Sequence, residues 1–251
     1  MLTCPTMNRE LYVQLYEQEK SHWWFVGRRA IIATVLTRLL RKTKKKPHIL
    51  EIGCGTGGNL ELLAKFGYLE AIEFDKEAVQ LSQEKNICKV TEGSLPKDIP
   101  YNITYDLVAM FDVLEHIDDD LGSLLTIRKI LEPKGQLILT VPAFMFLWSE
   151  HDDVNQHKRR YSKKSLISVV KKAGFDVEYI TYFNTFLFPA ITFVRSISRL
   201  FKQKSGSDLS KPTPNMVNQA LTGLFAAERF FFPWASFPFG VSILVVVRHS
   251  K

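Results

Sequence analysis

Cysteine is scarce: Cys4, Cys54 and Cys88 are the only three in 251 residues, with no C-x-x-C pair and no companion histidine cluster. That scatter speaks against a disulfide framework or a structural zinc site, so a reducing, cytoplasmic setting is expected. Residues 1–10 lack the apolar core of a secretory signal. Phe230–Val247 runs 18 residues without a charge, long enough for a membrane span. Pro233, Pro238 and Gly240 would break it as a helix, and Ser242–Val247 is needed as a closing strand, so no span is expected.

The remaining composition is that of an ordinary globular chain, 46% hydrophobic and 24% charged, long enough to bury one sizeable core. Its charge is segregated. Residues 1–47 carry a net +7, residues 48–150 a net −9 and residues 151–251 a net +9. Basic flanks around an acidic centre suit an anionic lipid surface, a nucleic acid or a phosphorylated acceptor, and equally a plain solvated surface.

The centre of the chain is organised around His48–Gly58. Ile49, Leu50 and Ile52 form an apolar strand, four glycines make a turn, and Leu60, Leu62, Leu63 and Phe66 mark one face of a following helix. A strand, a glycine turn and a helix amino end together expose bare backbone and N–H donors to an anionic or nucleotide ligand. Two spacings fit. Gly53, Gly55 and Gly58 satisfy the dinucleotide pattern G-x-G-x-x-G, while Glu51, Gly53, Gly55 and Gly57 satisfy E-x-G-x-G-x-G. Glu73 closes the next strand, Leu69–Phe74, about 20 residues beyond the loop, where a carboxylate receives ribose hydroxyls in either case. Asp75 reads as the cap of helix Lys76–Lys85.

Upstream, Asn8–Lys20 has helical spacing, and the aromatic run His22-Trp23-Trp24-Phe25 leads through Gly27-Arg28-Arg29 into an amphipathic helix over Ala30–Leu40. Those aromatics either pack that helix on the core or roof a cofactor, with Arg28 or Arg29 reaching its carboxylate. Downstream come a short strand at Val90–Leu95, a strand at Tyr105–Met110 and the run Phe111-Asp112-Val113-Leu114-Glu115-His116-Ile117.

The loop E-x-G-x-G-x-G, the segment Asp112–Ile117 after Tyr105-Asp-Leu-Val108, and the turn Leu131-Glu-Pro-Lys-Gly135 resemble motifs of the class I S-adenosylmethionine-dependent methyltransferases. Lys134 stands where that family commonly has glycine. The resemblance covers Ile49–Val141 and implies an α/β, Rossmann-like seven-stranded mixed sheet with helices on both faces, its last strand antiparallel. Phe175–Tyr182 and Ser242–Arg248 supply the sixth and seventh strands. It implies S-adenosylmethionine as cofactor, contacted by Trp24, Arg28, Glu51, Gly53, Cys54, Gly55, Gly57, Glu73, Phe74, Ser94, Leu95, Phe111, Asp112, Val113 and His116. A dehydrogenase is disfavoured because no second domain follows to hold a hydride acceptor.

Acceptor chemistry belongs at the carboxyl ends of the strands. His116 reads as a general base or as a histidine on the first turn of a helix lining the cofactor pocket, and His151 as a base or as part of a solvated loop. The run Trp148–Tyr161, with Trp148, His151, Asp152, His157, Arg159, Arg160 and Tyr161, resembles methyltransferases of bacterial cell-surface glycan and lipid pathways and, more distantly, the ubiquinone-pathway O-methyltransferases. By that resemblance Trp148, His151, His157, Arg160 and Tyr161 are substrate candidates, and the acceptor is an oxygen on a small or lipid- or glycan-linked molecule. No metal is expected, because no pair of ligand types in this run has a familiar metal spacing.

The expected organisation is a helical, aromatic cap over residues 1–47, the cofactor-binding core over 48–183, a helical insertion over 184–240, and a closing strand over 241–251. The insertion would be a lid or a peripheral membrane contact through residues 185–240, with a polar linker at Lys202–Asn215. Two rival functions follow from the same features. Basic flanks suit an RNA or DNA methyltransferase, but no Asn/Asp-Pro-Pro-Tyr/Phe run follows the fourth strand, and nucleic acid is not the expected partner. A non-catalytic, cofactor-binding subunit is the other.

Overall fold

The computed structural model describes residues 9–41, 43–101, 103–201, 213–232 and 234–250. Among the described residues there are seven strands: β1 His48–Ile52, β2 Tyr68–Glu73, β3 Lys89–Glu92, β4 Tyr105–Phe111, β5 Leu131–Pro142, β6 Phe175–Phe183 and β7 Ser242–His249. They form one sheet in the order β3-β2-β1-β4-β5-β7-β6. β1 to β5 pair in parallel, and β7 runs antiparallel to both β5 and β6. This is the Rossmann-like mixed sheet that the motifs imply.

The strands are apolar on both faces, as a parallel sheet covered by helices requires. In β4, Val108 and Met110 enter one core layer and Leu107, Ala109 and Phe111 the other. In β7, Ile243, Val245 and Val247 alternate with Leu244 and Val246 in the same way. The first layer is covered by α5 Asp120–Ile130 and α7 Lys163–Lys172 through Leu124, Ile127, Leu166 and Val170. The second is covered by α2 Trp23–Leu40, α3 Leu60–Ala64 and α9 Asn215–Ala227 through Ile31, Val35, Leu63 and Phe225. The remaining helices are α1 Arg9–Gln18, α4 Lys76–Glu84, α6 Glu150–Val154 and α8 Phe188–Leu200.

Two local expectations are corrected. Helix α2 begins at Trp23, not at Ala30, so Gly27, Arg28 and Arg29 lie inside it. His22 accepts from Trp24 N, and Asn218 of α9 accepts from Trp23 N at 2.8 Å, so the first free N–H groups of α2 are satisfied partly from the far end of the chain. His116 does not open an α-helix. It ends a short 3-10 turn, Leu114–His116, and α5 starts only after Asp119, whose side chain accepts from Gly122 N. The polar linker expected at Lys202–Asn215 lies outside the described residues over 202–212, and Asn215 already belongs to α9. Pro233 lies outside them too. Among the described residues no helix is long and apolar enough to cross a membrane.

Candidate active site

The carboxyl ends of β1, β4, β5 and β6 converge on one cavity of about 540 Å³, within the range of small-molecule sites. The backbone around it is strained: Asp112, Phe144 and Asn184, the residues after β4, β5 and β6 or one beyond, have φ of +55°, +57° and +55°. Left-handed conformations at non-glycine residues are costly and tend to cluster at functional sites.

One end of the cavity is the glycine loop. Gly53 and Gly55 have φ of +70° and +55°. A Cβ on Gly53 would lie 2.5 Å from Val113 Cγ2, whereas one on Gly55 would meet nothing within 4 Å. The Gly55 backbone is therefore an open cradle, and Gly53 is fixed by packing. Glu73 supports the loop from the end of β2. Its Oε2 accepts from Gly55 N at 2.8 Å, and its Oε1 from Phe74 N at 2.9 Å and Asp75 N at 3.1 Å. Burial pushes the Glu73 carboxyl up, and those N–H groups oppose it. Glu51 is buried beneath the loop and accepts from Asn59 Nδ2 at 2.9 Å; burial raises it to about 8. From the amino-terminal side, Glu19 accepts from Thr56 Oγ1 at 2.7 Å and pairs with Lys85, clamping the loop beneath α1.

The roof comes from α2 and the insertion. Trp23, Trp24, Phe25 and Arg28 line the cavity beside Leu187, Ala190, Ile191, Val194 and Arg195 of the α8 region and Leu221 of α9. Trp24 stacks on Phe225, whose ring also stacks on Phe183. Gly27 lets this happen, since a Cβ there would lie 2.4 Å from Phe225 Cδ1. Arg28 pairs with Asp112, which also accepts from Thr140 Oγ1 at 3.1 Å. Arg28 Nε is buried without a partner.

The floor holds three histidines. His116 and His157 pack edge to face with centroids 4.7 Å apart, and His151 lies 6.1 Å from His157. Burial, with His157 adding to it, lowers His116 to about 4, so it is neutral at pH 7. His157 Nδ1 is 2.8 Å from Asp152 Oδ1, and Arg160 holds Asp152 through Nε at 2.7 Å and Nη2 at 3.0 Å. Burial alone would raise Asp152, but the bonds from His157 and Arg160 hold it below the ordinary carboxylate range. Glu115 is fully buried, and burial together with Asp112 pushes it well above that range.

Of the sequence candidates, Trp24, Arg28, Gly53, Cys54, Gly55, Phe111, Asp112, His116, His151, His157 and Arg160 line the cavity. Glu51, Gly57, Glu73, Phe74, Val113, Ser94 and Leu95 do not. Glu51 ties β1 to α3, Val113 wedges Gly53, and Ser94 pairs with Asp98 in a bridge outside the cavity wall. Trp148 and Tyr161 also lie off the cavity wall. The Trp148 indole donates to Asp153, and the buried Tyr161 hydroxyl donates to Asp120 at 3.0 Å. Sequence reasoning missed Glu115, and it expected a helical lid without naming the α8 residues that form the wall. It also weighed ligand spacing only within residues 148–161, whereas the fold sets His157 against Glu115 and His116, with one donor atom of each within 4.8 Å of the others.

The site fits S-adenosylmethionine: the open Gly55 cradle, the unpartnered Arg28 Nε and the aromatic roof would take its backbone, carboxylate and apolar edges. The comparisons agree with that cofactor. Residues 25–180 match the family profile described as a methyltransferase domain. The chain is 32% identical over 102 residues to the mitochondrial ubiquinone biosynthesis O-methyltransferase of Candida albicans, a match covering 37% of this chain and 31% of that one. Three curated relatives are matched over 62%, 42% and 31% of their own lengths, so the chain spans less than two thirds of each. Among solved structures, a chain of the complex between the Haloferax volcanii Trm112 methyltransferase activator and a methyltransferase superposes with a TM-score of 0.60 at 15% identity, covering 96% of this chain and 95% of that one. Phosphoethanolamine N-methyltransferase 2 of Haemonchus contortus, solved with S-adenosyl-L-methionine, gives 0.56 at 16%, covering 88% and 52%. At such identities these structures share the fold.

Proposed function

The chain belongs to the methyltransferase-domain family, and on that premise we propose that it uses S-adenosylmethionine to methylate an oxygen of a small or lipid- or glycan-linked acceptor by direct in-line transfer. One observation carries this reading: a single cavity joins the glycine loop to a histidine-lined floor under an apolar wall.

The cofactor, when bound, supplies an electrophilic methyl group on a sulfonium. The Gly55 cradle and Arg28 hold and orient it. The remaining requirement is an acceptor oxygen placed in line, with a base for its proton. His151 lies on the floor in α6 and is the candidate base. His116 is held neutral by burial and is the second candidate. The aromatic roof and the α8 wall exclude water.

A lipid-linked acceptor suits the outer face of the insertion, where Phe193 is 66%, Met216 85%, Phe230 71% and Trp234 87% exposed. Exposed aromatics beside a basic flank favour peripheral contact with an anionic bilayer. Residues 184–240 would then act as both lid and membrane contact.

Calorimetry tests the cofactor half: S-adenosylmethionine is expected to bind and NAD not, and tight NAD binding would sink the reading. For the acceptor half, methyl-labelled cofactor is incubated with membrane lipid extract or with tRNA. Label in an alkylated hydroxyl of the lipid or glycan fraction supports the proposal, and label in tRNA overturns it. Flotation with anionic vesicles should fall when Phe193 and Trp234 are both replaced by Ser; unchanged flotation removes the membrane contact.

A further inference from the structure

We propose that Glu115, His116 and His157 form a binding site for one divalent first-row transition-metal ion at the cavity floor, with its open positions facing the cavity. The three side chains come from two segments, the turn after β4 and the chain leaving α6. One donor atom of each lies within 4.8 Å of the others. A tetrahedral ion with ligand bonds of about 2.1 Å holds its donors roughly 3.4 Å apart. Inward movement of at most about 0.8 Å in each side chain would close the set.

Three independent features distinguish this cluster from a chance gathering of polar groups. First, His157 has an orienting partner on its Nδ1, which leaves Nε2 for an ion. Asp152 lies 2.8 Å from His157 Nδ1 and is itself fixed by Arg160 and by Ser149 N. Metal-binding histidines are set up this way, with the outward N–H bonded to a carboxylate or carbonyl and the other lone pair aimed at the ion. Second, both oxygens of Glu115 are buried with no hydrogen-bond partner, in a side chain with no solvent exposure. A buried carboxyl group left unmatched is costly, and an ion accounts for it. Third, all three residues line the cavity, so the ion would face the acceptor. Three protein ligands with open positions is the arrangement of a catalytic metal, and two imidazoles with one carboxylate select zinc, iron, cobalt or nickel over magnesium or calcium.

The role of the ion rests on the methyl-transfer reading above, but its binding does not; with His116 on the ion, His151 alone remains as base. An acceptor hydroxyl at an open position becomes more acidic and gives its proton to His151. The freed oxygen pair forms the C–O bond as the sulfonium S–C bond breaks, and sulfur keeps that bonding pair. No oxidant or further reactant is needed.

The 251-residue chain, stripped with chelator, is titrated with Co²⁺ by visible absorption and with Zn²⁺ in competition. One equivalent is expected to bind, with ligand-field bands that Zn²⁺ abolishes. His157→Ala and the shape-preserving Glu115→Gln should each weaken binding by at least about 100-fold, while calorimetry with S-adenosylmethionine reports whether each variant is still folded. No Co²⁺ uptake by the wild type, or equal uptake by Glu115→Gln, overturns the site. Co²⁺ uptake without S-adenosylmethionine binding would instead overturn the methyltransferase reading and leave the metal site standing.

Discussion

Replacing Glu51 with Gln should stabilise the protein at and above neutral pH, although Glu51 is the first residue of the glycine motif. The carboxyl is buried, and its folded value of about 8 stands against an ordinary 4.5. Its neighbour explains why the proton is kept. Asn59 Nδ2 donates to Glu51 Oε1, while Glu51 Oε2 and Asn59 Oδ1 are both buried with no partner. A protonated Oε2 supplies the donor that Asn59 Oδ1 lacks, and a Gln amide supplies the same donor without titrating. Between pH 4.5 and 8 the unfolded chain has released this proton and the folded chain has not. Stability therefore falls as pH rises through that window, and the loss is complete above the folded value. At about 1.4 kcal/mol per pH unit the whole window is worth on the order of 5 kcal/mol, and the part below pH 7 roughly 3 kcal/mol. Urea unfolding of wild type and Glu51→Gln from pH 5 to 8, without cofactor, isolates this group because every other titration is common to both. The variant should gain on the wild type steadily as pH rises. A difference that is flat with pH, or one that favours the wild type at pH 8, would refute the reasoning.

Gly55→Ala adds a Cβ to the open cradle at a left-handed φ, so unfolding should show a loss of about 1–2 kcal/mol while calorimetry shows S-adenosylmethionine affinity lowered at least about tenfold; undiminished affinity would mean the loop is not the cofactor cradle. Asp152→Asn strips Arg160 of its buried partner and should cost roughly 3–5 kcal/mol in denaturant. The wild type should lose that same contribution only as pH falls below the ordinary aspartate range, and stability of the Asp152→Asn protein within about 1 kcal/mol of wild type (the worth of an exposed pair) would contradict the geometry. Gly27→Ala drives a methyl into Phe225 and should cost about 1–3 kcal/mol; pairing it with Phe225→Leu should recover part of the loss, and strict additivity in that double-mutant cycle would deny the contact.

The strands could be read from sequence because a covered parallel sheet writes itself as short apolar runs, and Ile49–Ile52, Leu107–Met110 and Ile243–Val247 are such runs. The glycine loop could be read because its chemistry is local: the open backbone of Gly55 and the carboxylate of Glu73 are separated by one helix. The start of α2 could not. Gly27 looks like a turn residue in a local window, but it is helical because the Phe225 ring fills the place of its side chain from 198 positions away. The metal-ligand geometry was hidden for the same reason, since His157 and His116 are 41 positions apart and no spacing rule joins them. Glu115 reads in sequence as one more acidic residue of an acidic stretch; only its burial without a partner distinguishes it.

The same division, local for the cofactor and long-range for the acceptor, sets what the insertion can control. One bond closes it on itself and another ties it to the core: Glu228 accepts from Thr185 N at 2.6 Å and Phe186 N at 2.8 Å just after β6, and Arg195 donates to the Leu147 carbonyl at 2.7 Å beside the histidine floor. Asn218 joins it to the start of α2 through Trp23 N and the Ser21 carbonyl, both at 2.8 Å. None of these bonds reaches the glycine loop. Changes in the α8 residues that face the cavity, Ala190, Ile191 and Val194, therefore alter the wall met by the acceptor while Gly55, Glu73 and Arg28 keep their places. Substituting Ile191 with Ala should accordingly raise the KM for the acceptor with little change in S-adenosylmethionine affinity, because it removes uniform binding from one half of the cavity only. An equal loss of cofactor affinity would show that the two halves are coupled through α2.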